Sequence, residues 1–295
     1  MLVCCRTYYG QTAAISFTDE IQNSTGNSPD QAIEEGGTAS FSWHDPITKI
    51  PKDIFGFGSE VIRTDNIKTS AALLTLTGVL VSIDRYTSEP FYRNYKSSSA
   101  IKEASNDISF LGGGEFHLVT AALLCGTGLI IGDNRTLRTG LQIIESELVC
   151  GLTVQLLKRV TGRESPQSAT HPNGLFRPFP NLNEYEKNQP KNYSFPSGHI
   201  STTMAALTVI TNNYPEIGWI KPAGYSLVGL IGVGLVTRGW HWLSDFPLAL
   251  GIGYTFGKII TDRNLLSTGA NKESQNFSVY PMYLDGPAIG INYSF

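Results

Sequence analysis

His241 and Asp245 are the residues whose types and spacing suggest chemistry most directly. They lie four positions apart in residues 237–245, a stretch that also contains Arg238. On a helix, this spacing places two side chains on one face and in contact. A carboxylate bound to one imidazole nitrogen fixes the tautomer and leaves the other nitrogen free to attack an electrophile. The pair predicts a nucleophilic His241 oriented by Asp245, with a purely structural His–Asp contact as the alternative.

A second histidine opens an apolar stretch further up the chain. Pro196, Ser197, Gly198 and His199 stand directly before residues 200–210, which are mostly apolar. The N-terminus of a helix binds anions through its free backbone N–H groups and its dipole. The Ser197 hydroxyl and the Gly198 N–H could both serve such an anion, and His199 could present a ring nitrogen to it. The alternative is that Ser197 is only a helix N-cap.

Cations gather after a third apolar run, at residues 158–166. Lys158 and Arg163 are both in this cluster. Arginine offers a planar fork to two phosphate oxygens, and lysine supplies a point charge. The cluster therefore predicts a phosphate-binding site, although cations also favour the C-terminal end of a helix for its dipole alone.

In order and content, the three clusters resemble the type 2 phosphatidic acid phosphatase superfamily. That family carries Lys-x6-Arg-Pro, then Pro-Ser-Gly-His, then Ser-Arg-x5-His-x3-Asp. Lys158 and Pro166 match the first motif, residues 196–199 match the second completely, and the His-x3-Asp of the third is present. The resemblance covers about residues 110–262.

The resemblance implies a phosphoric monoester or diphosphate hydrolase that works through a phosphohistidine. His241 would attack phosphorus, Asp245 would orient it, and His199 would protonate the leaving alcohol. No metal or other cofactor is implied, because cations and a helix N-terminus would meet the charge of the phosphate. The groups that would hold the phosphate are Lys158, Arg163, Ser197, Gly198 and Arg238.

The arginines of the family pattern are displaced in this chain. Ser165 stands where the first motif has arginine, and Arg163, two residues earlier, is predicted to replace it, with Arg177 as a second candidate. Neither residue of the Ser-Arg pair occupies its place in the third motif. Arg238 is displaced from there by three residues, which is close to one helical turn, so it is predicted to point to the same side.

The elements that must position these residues follow from the apolar runs. They cover residues 71–83, 116–131, 140–157, 200–210, 225–236 and 246–260. The runs predict an all-α fold, a bundle of about six helices of the kind found in the resembling family. We expect a polar, loop-rich and partly disordered leader at 1–66 with a short strand at 38–44, a helical phosphatase domain at 67–262, and a C-terminal extension at 263–295 with a short strand or hairpin.

Composition favours a membrane-associated protein. Charged residues make up 16% of the chain, below the roughly 25% of an average soluble domain. Against this, most apolar runs are shorter than the roughly 20 residues of a membrane span, and mean hydropathy is only −0.07. The alternative is a soluble helical bundle with an unusually apolar core. In a membrane, Glu145 and Glu147 should point into the bundle or toward water. The resemblance implies a site facing the extracytoplasmic, periplasmic side, and residues 1–6 could be the tail of a secretory signal.

Several functions remain open at this point. A net charge of −3 gives no sign of the basic surface that binds nucleic acid. We predict a lipid phosphate as substrate, such as phosphatidate, a phosphatidylglycerol phosphate or a polyprenyl diphosphate. The alternatives are a soluble periplasmic acid phosphatase, a vanadate-dependent haloperoxidase, and a non-enzymatic envelope protein with a degenerate site. The sequence predicts neither the exact phosphate ester nor the oligomeric state.

Overall fold

The computed structural model describes residues 45–181, 187, 189–269, 277–284 and 286–293. The predicted strand at 38–44 and residues 1–6 lie outside the described residues. The helices are α1 (Asp45–Thr48), α2 (Ile50–Ile62), α3 (Ile67–Ser97), α4 (Ser99–Leu111), α5 (Gly114–Ile131), α6 (Asn134–Thr161), α7 (Gln189–Asn192), α8 (Gly198–Asn213), α9 (Ile220–Thr237) and α10 (Phe246–Gly269). Short 3-10 helices occupy Pro166–Ser168 and Leu243–Asp245.

The all-α prediction is confirmed. Each of the six apolar runs lies inside one helix, namely α3, α5, α6, α8, α9 or α10. The structure also contains α1 and α2 within the stretch expected to be a loop-rich leader, and α4 between two of the runs. The apolar runs did not predict these helices, because polar residues interrupt the apolar residues within them. Their starts fit helix rules, since α2 has Pro51 in its first turn and the Ser98 hydroxyl caps α4 by accepting from the Ile101 N–H.

Helix α8 lies at the centre of the helical domain. Buried side chains of α8 contact α9 and α10 through one cluster, α6 and α10 through a second, and α5 and α6 through a third. Its members in these clusters are Ile200, Met204, Ala205, Ala206, Leu207 and Val209. A helix packed on so many sides has a fixed position, so the residues at its N-terminus are held by the core of the domain.

Among the described residues, four helices are long and apolar enough to cross a membrane: α3, α5, α6 and α9. They contain 31, 18, 28 and 18 residues, so they extend well beyond the apolar runs visible in the sequence. Their outward faces carry large apolar side chains, of which Leu123 is 67% exposed and Ile130 87% exposed. Such surfaces would be costly in water over this length, and the protein is membrane-associated.

The two glutamates of α6 point into the bundle, as expected from their cost in lipid. Glu145 is fully buried and pairs with Arg263 of α10. Glu147 lies 2.8 Å from Nδ1 of His117 on α5. Each carboxylate therefore finds a basic partner inside the helical domain.

The chain divides into two compact units, of which residues 39–265 form the helical one. In the other unit, β1 (Phe277–Leu284) and β2 (Gly286–Tyr293) pair in an antiparallel arrangement, with Phe277 opposite Tyr293. The residues with candidate chemistry all lie in the helical unit.

Candidate active site

His199 and His241 come together at one end of the helical domain. Their ring centroids are 6.5 Å apart. His199 lies in the first turn of α8, and His241 lies in an extended segment that follows α9. The chain reaches this segment through Gly239, whose φ is +72° and where an added Cβ would lie 2.6 Å from the ring of Tyr92. Only glycine suits such a position, so this turn fixes where His241 enters the site.

Asp245 contacts His241, but not through the helical spacing expected from the sequence. Nδ1 of His241 is 3.2 Å from Oδ2 of Asp245, and both residues are buried. His241 lies outside any helix, Trp242 is extended, and a 3-10 helix begins only at Leu243. Oδ2 of Asp245 also accepts the Trp242 N–H at 2.8 Å and the hydroxyl of Ser194. The carboxylate thus closes the turn as well as orienting the imidazole.

Burial keeps both imidazoles neutral. It lowers the pKa of His241 below its usual value, although the hydrogen bond and charge of Asp245 oppose this effect. Burial also lowers the pKa of His199, to about 3, with further repulsion from His241 and Lys158. For Asp245, burial alone would raise the pKa, but the positive charge of Arg163 holds it below its usual value. The pair at neutral pH is a neutral His241 beside an ionised Asp245.

Lys158 faces the start of α8. Its side chain belongs to the last turn of α6 and is 3% exposed. Nζ lies 3.5 Å from the ring centroid of Tyr193, and a Cβ added to Gly198 would lie 3.8 Å from Nζ. Ser197 is the N-cap of α8, and its own N–H donates to the Asp245 carbonyl at 3.2 Å. The structure therefore brings a buried ammonium group and a helix N-terminus together beside the two histidines.

Arg238 also lies near the site. It is the C-cap residue of α9 and is half-buried. Its guanidinium carbon is 3.5 Å from the ring centroid of Trp240, and that ring centroid is 5.8 Å from the centroid of His199. A guanidinium held on an indole face keeps its edge available for an oxyanion.

Arg163 is placed differently from the prediction. Gly162, with φ +53°, ends α6 and turns the next residue inward. The guanidinium of Arg163 is fully buried and donates to Asp245 Oδ1 and the Ser244 hydroxyl through Nη1, each at 2.6 Å. Nη2 donates to Asp84 Oδ2 at 2.6 Å. The sequence predicted Arg163 as a phosphate ligand, whereas in this geometry both terminal nitrogens already bind protein oxygens behind Asp245.

Arg177, the second candidate, is also engaged elsewhere. It donates to Oε1 of Glu164 through Nε at 3.1 Å and Nη2 at 2.9 Å. The functional residues that sequence reasoning missed are Asp84, Ser194 and Ser244. For Asp84, the only sign in the sequence was a carboxylate at the end of a long apolar run.

The family comparison covers the part of the chain that builds this site. Residues 139–264 match the model of the PAP2 superfamily. We use the name PAP2 domain for these matched residues. The PAP2 domain runs from α6 to α10 and contains Lys158, both histidines and Asp245, but not Asp84 of α3. The resemblance inferred from the three motifs is therefore confirmed.

Two individual proteins are similar to parts of this chain. The lipid A 1-phosphatase of Porphyromonas gingivalis is 30% identical over 67 residues, a match that spans 22% of this chain and 15% of that protein. A crystal structure of a transmembrane PAP2 type phosphatidylglycerolphosphate phosphatase from Bacillus subtilis has a TM-score of 0.43 and 16% identity, covering 76% of this chain and 97% of that one.

Proposed function

We propose that this protein hydrolyses the phosphate ester or diphosphate of a membrane lipid through a phosphohistidine formed on His241. The observation that carries the proposal is the meeting of His199, His241 and the buried Lys158 at one end of helices with apolar outer faces. The similarity to a lipid A 1-phosphatase supports a lipid substrate. The charge of the phosphate would be met by cations and a helix N-terminus without a metal ion.

In the first step, His241 forms a bond to phosphorus. Its Nδ1 faces the Asp245 carboxylate and carries the proton, so the lone pair is on Nε2. Nε2 attacks phosphorus as the bond to the ester oxygen breaks. The electron pair of that bond stays on the leaving oxygen, and the positive charge that develops on the imidazole is stabilised by Asp245.

His199 passes to the leaving oxygen the proton that the monoanion of the ester brings into the site. The ring stands close enough to His241 to reach the opposite side of a phosphoryl group between them. In the second step, neutral His199 takes a proton from water, which attacks phosphorus. The P–N bond then breaks, inorganic phosphate leaves with the proton that His199 had taken, and both histidines return to their neutral starting state.

The non-bridging oxygens would lie against positive groups. Lys158 offers an ammonium group, and the start of α8 offers the Ser197 hydroxyl and the Gly198 N–H. Arg238 offers a guanidinium group that is stacked on Trp240, the neighbour of His199. This charge distribution favours a transition state in which negative charge is spread over the phosphoryl oxygens.

The substrate class is tested by a panel of esters assayed with purified protein. Phosphatidate, a phosphatidylglycerol phosphate and a polyprenyl diphosphate in mixed micelles are compared with water-soluble phosphate esters. We expect kcat/KM for the best lipid to exceed that for the soluble esters by at least about tenfold, since burying only two methylene groups contributes about 1.6 kcal/mol. Extraction of the protein without detergent and equal kcat/KM values would favour a soluble acid phosphatase, and turnover of none of the esters would contradict the proposed function.

The pH dependence of kcat/KM follows from the neutral histidines. His241 must be unprotonated to attack, and because burial lowers its pKa, this form persists below the ordinary histidine value of about 6.5. His199 is also unprotonated in the free protein, so the monoanion of a phosphate monoester must bring the proton. The second pKa of such an ester is about 6. We therefore expect kcat/KM to fall as pH rises above about 6, because the ester loses its proton. On the acidic side, kcat/KM should fall only when the pH reaches the lowered pKa of His241. A rate that increases from pH 6 to pH 8 would contradict this assignment.

A further inference from the structure

Asp84 belongs to a buried charge network that reaches the active site from outside the PAP2 domain. It lies on α3, whereas its partners Arg163, Ser244 and Asp245 lie inside that domain. All four side chains are essentially unexposed to solvent. An ionisable group buried in an apolar, membrane-associated helix is costly and is seldom kept without a role.

The guanidinium of Arg163 bridges the two carboxylates. Nη1 donates to Oδ1 of Asp245 and Nη2 donates to Oδ2 of Asp84, each at 2.6 Å. Oδ2 of Asp245 is thereby left for His241 and for the Trp242 N–H. Because the guanidinium is planar and rigid, the orientation that Asp84 gives it is passed to Asp245.

Asp84 also holds the turn that carries the catalytic pair. Oδ1 accepts the Ser244 N–H at 3.1 Å, and Oδ2 accepts the Ser244 hydroxyl. Two turns further along α3, the ring of Tyr92 lies under Gly239. Helix α3 therefore supports the segment on both sides of His241.

We infer that Asp84 is a positioning residue for the proposed reaction: through Arg163 and Ser244 it fixes Asp245 and, through Asp245, the ring of His241. Asp84 does not touch the substrate. The role depends on the proposed phosphatase function, and it makes α3 part of the catalytic unit.

The test is Asp84→Asn, with Asp107→Asn as the matched control, since Asp107 lies exposed on α4. Asparagine keeps the size of the side chain but removes its charge. We expect kcat to fall about 10- to 100-fold, the effect typical of residues that orient a metal-binding histidine, while KM changes less than about threefold because the phosphate ligands remain. Asp107→Asn should behave like the wild type.

The pH profile separates positioning from a loss of folded protein. Asp84→Asn removes a negative charge that offsets the positive charge of Arg163. The imidazolium form of His241 is then less stable, so the pKa of His241 falls. The acidic limb of kcat/KM should then move to lower pH. A lower kcat with an unmoved limb would overturn the positioning role, because fewer folded molecules change only the amplitude.

A second variant keeps the proposal testable if Asp84→Asn does not fold. Ser244→Ala removes a hydroxyl that binds both Asp84 and Arg163 and leaves no charge without a partner. We expect a smaller drop in kcat, about three- to tenfold, again with KM preserved. If the wild type is active and both variants match it, the positioning role is overturned and the proposed function stands. If the wild type hydrolyses no phosphate ester, both proposals fail.

Discussion

His241→Ala should lower kcat by at least about 10⁴-fold, the scale seen when the nucleophile of a covalent mechanism is removed. The loss follows from the geometry, because alanine leaves no group able to attack phosphorus from the position beside Asp245. A labelled lipid phosphate should also give an acid-labile phosphoprotein with the wild type and none with the variant. KM has little meaning for the residual activity, so single-turnover formation of the labelled protein is the sharper measurement.

The matched control for this experiment is His171→Ala. His171 is an exposed residue of the loop that follows α6 and lies outside the proposed site. Its replacement should leave both turnover and labelling at wild-type levels. Acid-labile label that persists in His241→Ala would contradict the assignment of the nucleophile, and label at His199 would reverse the roles of the two histidines.

Arg163→Ala should lower the free energy of unfolding by about 3–5 kcal/mol, because it removes one partner of a buried ion pair and leaves the carboxylates uncompensated. Asp84 and Asp245 are both fully buried and both contact this guanidinium. Denaturant unfolding in detergent, followed by circular dichroism, measures the change. Activity should fall as well, since Asp245 loses the contact that holds its Oδ1.

Arg93→Ala is the matched control for this loss of stability. Arg93 also pairs with a carboxylate, that of Glu89, but the two side chains are 75% and 49% exposed. Exposed ion pairs contribute about 0–1 kcal/mol, so the free energy of unfolding should change by no more than that. If Arg163 were instead a phosphate ligand, Arg163→Ala would raise KM and leave stability close to the wild type.

The sequence predicted the long helices and the two histidines of the candidate site because both can be recognised from residues that are close together in the chain. Apolar runs identify long helices whatever their partners, and Pro196 to His199 form a motif within four consecutive residues. The contact of His241 with Asp245 was also predicted, although a helix was assumed where the chain is extended. A spacing of four residues allows contact in a turn as well, since the carboxylate can accept the N–H of Trp242.

The role of Arg163 could not be predicted from the sequence because its partners are remote. Asp84 lies 79 residues before it and Asp245 lies 82 residues after it. Nothing in the pattern of one chain indicates that these three side chains meet, whereas a cation near a phosphate-binding motif suggests a phosphate ligand. The sequence gives even less reason to assign Ser194 and Ser244 to the site, because serine is common in turns.

Under the proposed function, the end of the domain at which the site lies limits which lipid molecules the protein can process. Lys158 stands near the end of α6, His199 at the start of α8 and His241 just beyond α9, so the proposed site residues gather at the ends of helices. A lipid anchored by its chains can present its headgroup there from one leaflet only. The supply of substrate would then depend on how fast the lipid is synthesised in, or flipped into, that leaflet, and the dephosphorylated product would accumulate on the same side of the membrane.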